Sequence, residues 1–125
     1  MKKTFGFALA GLLAIAACSD EAPVAGPGTF TGEIVGPNAT EGAAVVVLIG
    51  DGIQSVGSVG DSEAHASIGT EATRVVLINQ IGGPLSFTVA VADTTQPLTA
   101  LVEQVAGPDD ELRADVTAYA VEFAR

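Results

Sequence analysis

Apolar and polar positions along this chain fall into three regimes. Phe5 to Ala16 is an unbroken apolar run behind Lys2 and Lys3. Ser19 to Gly28 is small and charged, punctuated by Pro23, Gly26, Pro27 and Gly28, with no periodicity to bury. From Phe30 onward, short runs of β-formers alternate with Gly, Pro, Asn and Asp. Such runs read as strands, because helices need a 3.6-residue repeat and caps that are missing here. The pattern predicts strands at Phe30–Val35, Ala44–Ile49, Gln54–Val59, Ala64–Ile68, Thr73–Asn79, Leu85–Ala92, Leu98–Val105 and Asp115–Phe123. Gly36-Pro37-Asn38, Gly50-Asp51-Gly52, Gly82-Gly83-Pro84 and Gly107-Pro108-Asp109-Asp110 supply turns between them.

Within Leu85–Ala92 the positions Leu85, Phe87, Val89 and Val91 alternate with Ser86, Thr88, Ala90 and Ala92, so one face belongs in the core. Ala43–Ile49 and Val75–Ile78 are apolar at every position, which predicts central strands whose outer face is also covered. The last run places Tyr119, Val121 and Phe123 on one side. Asp109–Arg113 suits one helical turn with acids at its amino end. The expected fold over residues 29–125 is all-β, a small antiparallel sandwich of about seven to eight strands.

The amino-terminal run has the anatomy of a secretory signal, two cations followed by roughly 7 to 15 apolar residues. It is too short to cross a hydrocarbon core, which takes about 20. It closes on Ile15-Ala16-Ala17-Cys18, and Cys18 is the single cysteine of the chain. This segment resembles a bacterial lipoprotein signal with its lipobox. The resemblance implies a signal peptide over 1–17, cleavage between Ala17 and Cys18, and diacylglycerol on the Cys18 sulfur with an acyl chain on the new amino terminus. Residues 18–28 then form a lipidated tether. Each buried methylene adds about 0.8 kcal/mol, so two or three chains hold a protein permanently. In lipoproteins of enteric-type bacteria an Asp directly after the cysteine favours the inner membrane; here Ser19 takes that place and Asp20 follows, which implies the outer membrane, on its periplasmic or surface face.

Loss of the signal changes the charge picture. Lys2 and Lys3 leave with it, so Arg74, Arg113 and Arg125 face all 15 acids and no lysine remains. Nucleic acid is excluded as a partner, since its affinity is built from Lys and Arg on phosphates. Such a surface serves solubility first, and leaves cations, basic envelope proteins and neutral glycans as attractive partners. With its one thiol carrying lipid, the domain has no internal disulfide and must be held by burial.

Candidate chemistry is sparse. His65 is the only imidazole and stands in Ser62-Glu-Ala-His-Ala-Ser67 without a Gly-x-Ser-x-Gly elbow, so it reads as a surface histidine. One His and one lipidated Cys cannot make a zinc site. Calcium takes carboxylate and backbone oxygens, which makes Asp109, Asp110 and Glu111 weak candidates, with Asp51, Asp61 and Glu63 a second group; neither has EF-hand spacing. Glycoside hydrolysis needs two acids across a cleft, and Asp51 with Glu63 is the pair such a reading would choose. Asn38-Ala39-Thr40 matches a glycosylation pattern that the lipoprotein signal makes a chance match. The expectation is a chain that is not an enzyme and has no cofactor beyond its covalent lipid.

From Gly42 onward the order of features resembles the cohesin-like sandwiches of cell-surface polysaccharide-degrading systems and related carbohydrate-binding modules. The stretches that carry this are Gly42–Ile49, Ile53–Val56, Thr73–Ile78 and Gly83–Val89. Asp51-Gly52 stands where that family has Asp-Pro, and no binding residue transfers. The expected function is an anchored envelope lipoprotein whose sandwich is a noncatalytic interaction or structural module. The alternatives are a carbohydrate-binding or cohesin-like scaffold module and, last, an acidic-residue hydrolase.

Overall fold

The structure is a computed structural model that describes residues 25–38 and 40–125. The signal, Ala17, Cys18 and the first part of the tether lie outside the described residues, as does Ala39 of Asn38-Ala39-Thr40.

Eight strands form where short β-branched runs are bounded by turn residues: β1 (Gly28–Val35), β2 (Glu41–Ile49), β3 (Ile53–Ser58), β4 (Glu63–Ile68), β5 (Ala72–Gly83), β6 (Ser86–Val91), β7 (Thr99–Ala106) and β8 (Ala120–Ala124). They pair antiparallel into two sheets, sheet A in the order β3-β6-β1-β8 and sheet B in the order β4-β5-β2-β7. The described residues are thus the all-β sandwich expected from the pattern, with four strands per layer. β2 and β5 are the central strands of sheet B, as their unbroken apolar runs predict.

The core fills the space between the layers. Sheet A contributes Phe87, Val89 and Val91, and sheet B contributes Val46, Leu48, Val75, Leu77, Val102 and Val105. Phe123 packs edge-on against Phe30 and Phe87, with ring centroids 6.4 and 6.2 Å away. Gly32, between them on β1, keeps this contact open, since a Cβ there would fall 2.6 Å from the Phe87 ring. Tyr119, Val121 and Phe123 all turn inward, as predicted.

Register fixes the ends of the sandwich. Gly28, expected to close the tether, already opposes Val91, and the Gly26 carbonyl accepts from the Thr94 amide. The chain therefore enters at the end that carries the 50–52, 69–71 and 92–98 loops. The opposite end carries the 36–40, 59–62, 84–85 and 107–119 segments.

Four expectations are corrected. Asp109–Arg113 makes no helical turn: the Gly107 amide donates to the Glu111 carbonyl, the Arg113 amide donates to the Val105 carbonyl, and Leu112 bridges Ala106. The last strand begins at Ala120 rather than Asp115, because the Asp115 carboxylate captures the Thr117 amide and hydroxyl and turns the chain first. Finally, no described element covers the outer face of sheet B. β5 also outruns its prediction, continuing through Gly82 at φ 76° to Gly83, which pairs with Glu41.

Candidate functional site

One buried charged cluster stands at the end opposite the chain entry. Glu41 opens β2 and is 4% exposed. Parity with Ala44, Val46 and Leu48 would turn it outward, but a register shift between Glu41 and Ala43 rotates it into the interior. Arg113 donates from Nε and Nη2 to Glu41 Oε1 at 3.1 and 2.9 Å. The Tyr119 hydroxyl donates to Glu41 Oε2, and Asn38 Nδ2 donates to the Tyr119 oxygen at 2.9 Å. Gly36 admits the Tyr119 ring, since any Cβ there would overlap it.

Each carboxylate oxygen is thereby satisfied, the condition under which a buried charge is tolerated. Burial pushes the Tyr119 phenol above its ordinary range and the bond to Glu41 adds to this, against the Asn38 bond. The bond to Glu41 likewise raises Arg113, so the guanidinium stays charged. The adjoining cavity, between Ile34, Asn38, Pro84 and Tyr119, measures about 20 Å³ and has room for about one water. Both Glu41 carboxylate oxygens and the Tyr119 hydroxyl are engaged within the cluster. Its chemistry is that of a clip, joining the 107–119 segment and the entry to β8 in sheet A to the start of β2 in sheet B.

The residues singled out by sequence are scattered. Asp109, Asp110 and Glu111 are exposed in the turn after β7, where Asp109 Oδ1 accepts the Glu111 amide. Asp51 lies at the chain-entry end, whereas Asp61 and Glu63 lie at the far end beyond β3, so Asp51 and Glu63 are not brought together and both are exposed. Among the described residues, no three His, Cys, Asp or Glu side chains are gathered to hold a metal ion. His65 is on the outer face of β4 with its side chain 65% exposed, 3.7 Å from Glu63.

The remaining feature is a surface. Directly opposed residues share a face, so the register assigns the outer side of sheet B to the rows Ser67–Arg74–Val47–Leu101, His65–Val76–Val45–Gln104 and Glu63–Ile78–Ala43–Ala106. Val76, Leu101 and Ile49 are exposed there, at 36%, 58% and 50%. A β-bulge in β7 adds Glu103 to this side, and its carboxylate meets Arg74 at 3.2 Å, arching over β2 from the two flanking strands. A shallow depression of about 80 Å³ lies beside it between Val45, Val76, Gln104 and Leu112. Sequence reasoning found the apolar runs of this face but missed Glu41, Arg113, Tyr119 and Asn38 as a unit. Comparison with protein-family models, curated proteins and solved structures finds no match for this chain.

Proposed function

We propose that this chain is a lipid-anchored lipoprotein of the bacterial cell envelope, held at the outer membrane, whose β-sandwich is a noncatalytic interaction or structural module. The observation that carries the reading is Cys18, placed directly after the small residues that close a signal-like apolar run. Two structural features support the second half of the statement. Among the described residues, the buried charge of Glu41 is taken up by Arg113 and Tyr119 in holding the sheets together, and the outer side of sheet B is an apolar face suited to contact with another macromolecule.

A glycan-binding module gains no comparable support. Phe87, Phe123 and Tyr119 point into the core, and the partly buried Phe30 packs against it beneath the Arg125 guanidinium, 5.4 Å from the ring centroid. The described chain therefore offers no flat aromatic platform for a sugar. Glycan arrays are expected to be blank, with and without calcium.

Intact mass spectrometry of the membrane fraction tests the anchor. The wild type should carry a lipid-shifted mass starting at Cys18, and Cys18→Ala should lose it. An unmodified protein free in the soluble fraction for both would overturn the reading.

A further inference from the structure

We propose that two copies of this chain pair through the outer face of sheet B, about a two-fold axis running along β2, with Arg74 of each copy set against Glu103 of the other. The argument begins with charge. An acidic protein repels its own copy, so self-association requires a face where that repulsion is locally cancelled. On the outer side of sheet A, Glu33 and Glu122 stand directly opposite each other, and two such faces would repel. On sheet B, Arg74 and Glu103 balance around an apolar centre at Val45 and Val47, and Glu63 stands apart on the edge strand β4, outside the overlap of β5, β2 and β7.

The positions of the two charges select the axis. β2 lies between β5 and β7, so rotation about an axis along β2 lays β5 of one copy over β7 of the other. Arg74 then faces Glu103 twice. Rotation about an axis across the strands lays β5 on β5, which sets Arg74 against Arg74 and Glu103 against Glu103. Only the first arrangement is complementary. It seats Val45 and Val47 against their own counterparts, flanked by Val76 and Leu101.

The same axis keeps both copies of β2 pointing the same way. Both chains then enter at one end of the pair, the end where Gly28 opposes Val91. Two proteins anchored in one membrane need this geometry, a consequence that rests on the lipoprotein reading. The three overlapping strands offer about 400 Å² per copy, from strand spacing and rise, roughly half of a standard interface. Pairing is therefore weak in dilute solution and favoured where anchoring confines the copies.

The test uses the full chain in membranes of expressing cells, treated with a short bifunctional maleimide. Val47→Cys should yield about tenfold more cross-linked dimer than Thr31→Cys on sheet A or the unsubstituted chain. Arg74→Glu or Glu103→Arg, each added to Val47→Cys, should lower the yield about tenfold. Co-expressing those two, distinguished by tags, should restore it as heterodimer, because the opposite charges then meet across the axis. A purely structural role for the Arg74–Glu103 pair within one copy would give no such rescue. Equal yields at positions 47 and 31, undiminished yields from the single charge reversals, or absence of the heterodimer would each overturn the proposal. Should the protein prove soluble, the same comparison at about 1 mM reads the pairing separately from the anchor.

Discussion

The two outer faces of this sandwich cover the same core and differ in nearly everything else. Sheet A shows Thr29, Thr31 and Glu33 on β1, Ser86, Thr88 and Ala90 on β6, and Glu122 on β8. Sheet B shows Ala43, Val45, Val47 and Ile49 on β2, with Val76 and Leu101 beside them. Water-facing strands alternate, and β1 and β6 do. β2 does not alternate, although no described element lies over it. Val45 and Val47 stay half-buried beneath the Arg74–Glu103 pair, while Val76, Leu101 and Ile49 beside them are exposed. The difference teaches that an unbroken apolar run specifies a central strand reliably, and a covering layer within the same domain less so.

The largest expected effect separates inner from outer on β2 itself. Val46 is fully buried, and Val46→Asp places an unpaired charge in the core, costing about 5 kcal/mol or more and preventing folding. Its half-buried neighbour Val47→Asp should cost only about 1 kcal/mol in chemical denaturation, while lowering any association. Comparable destabilisation by both would mean that the outer face is covered in the folded domain.

Next comes the clip that joins the sheets. Tyr119→Phe removes the bond to buried Glu41 and should cost about 2 kcal/mol near neutral pH. Because the folded-state pKa of Tyr119 is raised above 10.0, its stabilisation is fully present below that pH and is lost as pH rises toward the folded value. Denaturation curves of wild type and Tyr119→Phe should therefore converge above about pH 10. A constant gap would remove the phenol from the account.

Smaller effects sharpen the picture further. Thr73 lies fully buried on the inner side of sheet B with its hydroxyl unpartnered, so Thr73→Val should raise stability by about 1 kcal/mol. At the edge of the fold, Asp115 is held below its usual range first by the Thr117 amide and then by the Thr117 hydroxyl. Its contribution is present above pH 3.8 and disappears as pH falls. Asp115→Asn should lower the neutral plateau slightly and flatten the acid limb of a stability profile, leaving stability at low pH unchanged.

The strands were legible because β-branched runs and Gly-Pro-Asn-Asp turns coincide here with one another. Where legibility failed, a local irregularity intervened. The shift between Glu41 and Ala43 turns an acid inward that parity places outside, and the β7 bulge sends Glu103 to the outer face. The shift at β2 carries Gly42 with Gly82 and Gly83 opposite, residues that read as turn punctuation, and the β7 bulge has no residue signature, so the Glu41–Arg113–Tyr119 clip and the Arg74–Glu103 arch emerge only from the register. The partners of Glu41 lie far along the chain, in a segment whose side-chain-captured turn reads equally well as a strand. The acids that sequence singled out, Asp51, Glu63 and Asp109–Glu111, are turn and edge residues that the topology disperses.

The difference between the two faces is tested most directly by methyl resonances of the full chain followed as concentration is raised. The account predicts that Val45, Val47, Val76 and Leu101 methyls shift together while those of Thr29, Thr31 and Thr88 stay fixed. Shifts confined to the threonine face, or no shift at any of these methyls, would contradict it.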